Sequence, residues 1–267
     1  MRSERTALDG ARQLFLIGAP RSGTTILANL LNAHRGVLLT HETAAFLQLD
    51  EMMKKSRLGS GGGVLSGKTY HDLWADHLRE QARSLIESFY GKIALRENRG
   101  RLSYWGEKHP HLDRALPLLE ALYPDSTYIY AVRDPRDTAC SIAQMNTIAV
   151  NRALDMVCRF TGRYEAFVAS IAAERVTVVK FEDLVGDYES VIGDVLKALG
   201  LTMDRSARAY LKKYKYRSSH SPDVRQRIDH AKTSVARWRR DMTAAEQSYA
   251  LTECKALMLK YGYLDQP

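Results

Sequence analysis

The chain has 267 residues, 45% of them hydrophobic and 26% charged, which is the composition of a globular protein able to bury a sizeable core, and a single domain over 1–267 is expected. No run of about 18 apolar residues and no apolar leader after Met1 appears, which argues against a transmembrane segment or a secretory signal and predicts a cytoplasmic protein. The formal charge of +8 favours a polyanionic partner, whether nucleotide, acidic peptide, nucleic acid or membrane surface, without choosing among them.

In chain order, Leu14-Phe-Leu-Ile17 is a short apolar run that ends in Gly18-Ala-Pro-Arg-Ser-Gly-Thr-Thr25. Ile26-Leu-Ala-Asn-Leu-Leu31 then suits a helix, so the order is strand, glycine loop, helix. The stretch 43–58 reads as helical and is broken by Gly59-Ser-Gly-Gly-Gly63. From His71 to Arg96 the apolar spacing fits one or two amphipathic helices, part of a helical insertion over about 58–101 that is expected to shape a cleft. Trp105-Gly-Glu-Lys-His-Pro110 leads into a helix ending near Leu122. Thr127-Tyr-Ile-Tyr-Ala-Val132 and Val176-Thr-Val-Val-Lys-Phe181 are dense β-type runs, read as a second and a third strand. Strands separated by helices predict a three-layer α/β fold of the P-loop type, with a mainly parallel sheet flanked by helices. Cys140, Cys158 and Cys254 are odd in number and lack CxxC grouping, so they read as incidental thiols rather than a disulfide framework or a zinc site.

A loop between a buried strand and a helix aims backbone N–H groups at whatever lies over the helix start, where the dipole adds about half a positive charge. Gly18 and Gly23 permit tight turns, Arg21 supplies a fixed cation, and Ser22, Thr24 and Thr25 offer hydroxyls. The spacing is that of a nucleotide-triphosphate loop, but Thr24 stands where that pattern needs lysine. A second candidate anion site is Val132-Arg-Asp-Pro-Arg-Asp-Thr-Ala-Cys-Ser141, in which Arg133 can grip a phosphate with two parallel hydrogen bonds and Ser141 adds a hydroxyl.

Ala19-Pro-Arg-Ser-Gly-Thr-Thr25 resembles the 5′-phosphosulfate loop of sulfotransferases, in the form found in tyrosylprotein sulfotransferases and their bacterial relatives. The segment from Arg133 to Ser141 resembles the same family's 3′-phosphate motif. The resemblance implies 3′-phosphoadenosine-5′-phosphosulfate (PAPS) as donor, 3′-phosphoadenosine-5′-phosphate (PAP) as product, no metal, and Arg133 with Ser141 on the 3′-phosphate. It also implies that Glu42, in Leu39-Thr-His-Glu-Thr43, is the general base, although His41 replaces the family's acidic neighbour and leaves a histidine base open. By the same resemblance Lys108 in Gly106-Glu-Lys-His-Pro110 stabilises the transferring sulfuryl group and Arg21 the bridging oxygen. Phe181-Glu-Asp-Leu184 resembles the family's Tyr-Glu-Asp-Leu with the phenol lost, which leaves Phe181 as either a packed core aromatic or a nucleotide contact.

The basic, aromatic-interleaved stretch 212–240 reads on its own as a nucleic-acid patch. The resemblance instead makes it a segment that closes over the nucleotide, with Ser221 and Arg237 as contacts, Trp238 as packing anchor, and no nucleic-acid partner. The acceptor is expected to bear a hydroxyl, as an acidic tyrosine peptide or a glycan, lipid or metabolite does, and a homodimer is compatible with the sequence. Two rivals stay open here, a P-loop kinase-like phosphotransferase and a polyanion-binding protein without catalysis.

Overall fold

The computed structural model describes residues 7–56, 68–216 and 232–264. Ser221 and the glycine run 59–63 lie outside them. A five-stranded, all-parallel sheet flanked by helices forms the expected P-loop-like α/β fold. Its strands are β1 (Arg12–Gly18), β2 (Val37–His41), β3 (Tyr104–Lys108), β4 (Thr127–Val132) and β5 (Val176–Lys180), in the order β2-β3-β1-β4-β5. Connecting them are α1 (Thr24–Leu31), α2 (Ala45–Ser56), α3 (Lys68–Arg96), α4 (Leu116–Leu122), α5 (Pro135–Asn146) and α6 (Val150–Ser170). After β5 come α7 (Phe181–Gly186), α8 (Tyr188–Ala198), α9 (Arg205–Tyr216), α10 (Trp238–Asp241), α11 (Ala244–Glu253) and α12 (Lys255–Tyr261). No helix among the described residues is long and apolar enough to cross a membrane.

The chain forms two compact units, Met1–Phe15 with Arg35–Thr127 and Leu16–His34 with Tyr128–Pro267. In the first unit β2 and β3 pair in parallel register from Val37↔Tyr104 to His41↔Lys108. Its core is aromatic: Tyr90 and Trp105 stack with ring centroids 4.7 Å apart, Trp105 meets Tyr123 edge-on at 5.5 Å, and Phe46 meets Phe15 edge-on at 5.2 Å. The stretch expected to hold one or two helices forms a single one, α3, which delivers Tyr90 to this cluster.

β3 runs so close to β1 that a Cβ on Gly106 would sit 1.9 Å from the carbonyl oxygen of Leu14. Backbone cannot yield as a side chain can, so Gly106→Ala must part the two strands. We expect it to cost at least about 3 kcal/mol, at the severe end of overpacking. Chemical denaturation beside wild type checks this, and a variant within about 1 kcal/mol of wild type would contradict the close approach.

In the second unit β4 and β5 pair from Tyr128↔Val176 to Val132↔Lys180. Asp134 caps α5 by accepting the Arg136 N–H, Pro135 occupies the first turn, and Pro135 to Ala143 are all buried. The helix that follows Arg133 is therefore a core element. Ala139, Leu154, Val157, Met258 and Tyr263 pack as one cluster that ties α5 and α6 to the C-terminal helices.

Candidate active site

In both units the polar candidates follow the carboxyl ends of strands, where ligands of open parallel sheets bind. After β1 the chain turns through Ala19 to Gly23 into α1. Gly23 adopts φ 89° as the residue before the helix, and a Cβ there would lie 2.4 Å from the Phe181 ring. Gly23, the residue before α1, has no side chain to cap it, and no acid sits in the first turn. Ser22 is 2% exposed and its hydroxyl donates to the Ala19 carbonyl at 2.7 Å. That hydroxyl closes the loop rather than pointing outward, so among the loop hydroxyls the exposed Thr25 is the better placed for a ligand.

Arg133 is the hub of this unit. Its guanidinium donates to the Arg21 carbonyl at 2.9 Å and to the Ser234 carbonyl and hydroxyl at 2.8 and 2.9 Å. It also lies over the Phe181 ring at 4.2 Å, which gives Phe181 its place as the floor of the loop. Arg133 is 7% exposed, and its Nε has no hydrogen-bond partner among the described residues. Burial lowers its pKa, Asp137 and Glu182 oppose that shift, and the neighbouring Arg237 charge adds to it. The buried guanidinium thus keeps one donor without a partner among the described residues, in surroundings that hold Asp134, Asp137 and Glu182 as well as Arg237. Arg21 Nε donates to the Ser141 hydroxyl at 3.1 Å, so Arg21, Arg133 and Ser141 stand together.

The C-terminal segment is strapped to the same hub. Asp137 is 1% exposed and accepts the backbone N–H of Ala236 at 2.7 Å and of Trp238 at 3.0 Å. Burial raises its pKa to about 6. Trp238 packs against the helical core and carries the Arg136 guanidinium over its ring at 3.8 Å, the anchoring role expected of it. Arg237 is tied to Asp241 at 2.6 Å and to the Gln144 side chain at 3.1 Å. Among the described residues of this strap it is Ser234, absent from the sequence-derived candidates, that reaches Arg133.

In the first unit, Lys108 is 4% exposed and its ammonium meets Glu42 Oε1 at 2.5 Å, while the Glu42 side chain is 52% exposed. The hydrogen bond from Lys108 holds the Glu42 carboxyl below its ordinary pKa. The exposed His41 also has a lowered pKa, first through partial desolvation of its ring and then through the Lys108 charge. Under this pair lies Glu107, fully buried, whose Oε1 accepts the Thr43 hydroxyl at 2.8 Å and the Ala44 N–H at 2.9 Å. Its Oε2 has no partner among the described residues, and burial pushes its pKa up.

Glu107 braces a strained turn, since Glu42 at φ 53° and Ala44 at φ 57° are both left-handed, as Arg21 is at φ 71°. Such conformations cost about 1–3 kcal/mol each and persist only where the surroundings impose them. Glu107→Ala is expected to cost about 2–3 kcal/mol by stranding two donors. Glu107→Gln keeps an acceptor oxygen and removes a buried acid, so it is expected within about 1 kcal/mol of wild type. Denaturant unfolding of both variants checks this, and equal losses would remove the bracing role.

The parallel sheet flanked by helices, with a glycine loop between β1 and α1, defines an α/β protein of P-loop-like fold. The sulfotransferase family profile matches residues 13–205, and the chain belongs to that family. It is 26% identical over 195 residues to protein-tyrosine sulfotransferase 1 of Danio rerio, covering 70% of this chain and 53% of that one. The curated relatives it matches are longer, and the chain spans 30% to 53% of their length. Among solved structures, the sulfotransferase domain of the Synechococcus PCC 7002 olefin synthase superposes with TM-score 0.60 at 19% identity, covering 100% of this chain and 99% of that one. A mouse sulfotransferase solved with PAP superposes with TM-score 0.53 at 12% identity, covering 96% and 89%.

Proposed function

We propose that this protein is an O-sulfotransferase that uses PAPS and transfers the sulfuryl group to an acceptor hydroxyl. The observation that carries the reading is the Arg133 hub: a buried guanidinium bonded to the Arg21 carbonyl, with Arg21 in turn donating to Ser141, in the loop that leads into α1. These residues fit a nucleotide with phosphate at both ends of its ribose. Arg133 and Ser141 would hold the 3′-phosphate, while the loop N–H groups with Thr24 and Thr25 would hold the 5′ side. The mouse neighbour solved with PAP supports this assignment at the level of fold.

PAPS supplies an activated sulfuryl group whose leaving group is a phosphate. For the chemistry, Glu42 takes the proton of the acceptor hydroxyl: Lys108 occupies Oε1 and the half-exposed side chain offers Oε2. Lys108 balances charge on the sulfuryl oxygens, and Arg21 balances the charge that develops on the leaving oxygen. Residues 232–240, strapped through Ser234 and Asp137, belong to a segment that closes over the nucleotide. The acceptor is a hydroxyl compound, and the charge of +8 together with the tyrosine-sulfating relative in zebrafish makes an acidic tyrosine peptide the first class to screen.

Calorimetric titration with PAP beside ATP and magnesium tests the reading. Binding of the bisphosphate in clear preference to ATP is expected. Equal or stronger binding of ATP with magnesium would move the protein to phosphoryl transfer, and weak binding of both with steep salt dependence would make it a polyanion binder.

A further inference from the structure

Cys158 on α6 and Cys254, which ends α11 and starts α12, bring their Sγ atoms to 2.6 Å although they are 96 positions apart in the chain. At that separation no other atom fits between them. Both thiols are free, Cys254 is buried and Cys158 only half-buried, so a reagent reaches Cys158 first. We propose that Cys158 and Cys254 are a reversible modification site, closing to an intrachain disulfide by exchange with a low-molecular-weight disulfide.

The exchange balances in two steps. The Cys158 thiolate attacks one sulfur of the reagent R–S–S–R, forming a mixed disulfide and expelling one thiolate, which takes up the Cys158 proton as RSH. Cys254, deprotonated in turn, attacks the Cys158 sulfur and expels the second RSH, so two protein thiols are oxidised and one reagent disulfide is reduced. The surroundings favour this order. The hydrogen bond with Cys254 holds the Cys158 thiol below its ordinary pKa and pushes Cys254 up, which makes Cys158 the attacking group. Cys140 sits in the same core, and burial pushes its thiol up to about 12, so it serves as the inert control.

The bond closes one covalent ring from 158 to 254, which contains β5, α7 to α9 and the strap residues Ser234, Ala236 and Trp238 that hold Arg133 and Asp137. A ring of that size constrains the unfolded chain strongly, and the thermal midpoint is expected to rise by about 5–10 °C on oxidation.

The test equilibrates the native protein in a glutathione redox series, blocks remaining thiols after denaturation and maps the peptides by mass spectrometry. The thiol count is expected to fall from three to one with a Cys158–Cys254 cross-linked peptide, reversed by dithiothreitol. Cys254→Ser should instead trap glutathione on Cys158 as a stable mixed disulfide, while Cys140→Ser should keep the cross-link. Three thiols surviving the fully oxidised buffer, or glutathione on Cys158 of the native chain with Cys254 still reduced, would overturn the assignment. Neither result depends on what the protein catalyses.

Discussion

Arg133→Ala is expected to weaken PAP binding by about 100-fold or more, because hydrogen bonds to a charged partner are worth about 1.5–3 kcal/mol each and the guanidinium can make two. The same side chain tethers the Arg21 carbonyl and Ser234, so the variant loses both the ligand's cation and the strap that faces it. A lower melting temperature is expected as well, and affinity must therefore be read on protein shown by circular dichroism to be folded. Arg133→Lys separates the two contributions. A lysine keeps one positive charge but loses the planar fork and the stacking over Phe181, so an intermediate loss of about tenfold is expected. Calorimetry with PAP at two salt concentrations checks the series. Wild-type affinity in folded Arg133→Ala would remove Arg133 from the donor site and with it the main support for sulfuryl transfer.

β1, β4 and β5 were legible in the sequence because each is an unbroken apolar or β-branched run with turn residues at its ends. β2 and β3 were not. In β3 the run Tyr104-Trp-Gly-Glu-Lys108 ends in a buried glutamate and a buried lysine, which no burial pattern drawn from apolar residues marks as interior. Gly106 adds a residue that weakens strands in general and is required here only because β1 passes so close. Length decided α3: a 29-residue helix with a weakly one-sided pattern reads equally as two shorter ones.

Within the site, the residues that came from local motifs were found, and those that act across the chain were not. Arg21, Arg133 and Ser141 share a hub because the two loops follow β1 and β4, neighbours in the sheet order. Ser234, Asp137 and Glu107 do their work through contacts with residues 63 to 101 positions away, and no spacing in the sequence reports such a pairing. Ser22 was read from residue type as one of three loop hydroxyls, and its bond to the Ala19 carbonyl in the tight turn before Gly23 is not visible at that level. The left-handed backbone at Arg21 and Glu42 is equally invisible in one sequence, because neither residue type advertises it.

Glu42→Gln is the substitution expected to remove most activity while keeping the shape of the side chain. The Glu42 side chain is half exposed and Lys108 can still donate to an amide oxygen, but the Lys108 ammonium is buried and loses its charged partner. A stability cost of about 1–3 kcal/mol is therefore expected, and on protein shown to be folded kcat should fall by about 100-fold to 10,000-fold if this carboxylate takes the acceptor proton. PAP affinity should be unchanged, because the role assigned to Glu42 is toward the acceptor. The pH profile separates Glu42 from His41. Lys108 holds the Glu42 pKa below its ordinary 4.5, so a carboxylate base stays ionised down to acid pH and the acidic limb of kcat/KM lies below that value. A His41 base also titrates below its ordinary 6.5, but its limb falls with protonation of an imidazole, and it disappears in His41→Asn together with the activity. Retained activity in His41→Asn with the limb unmoved, and collapse in Glu42→Gln, is the expected pair of results. The reverse pair would transfer the proton to His41 and leave Glu42 as the group that orients Lys108.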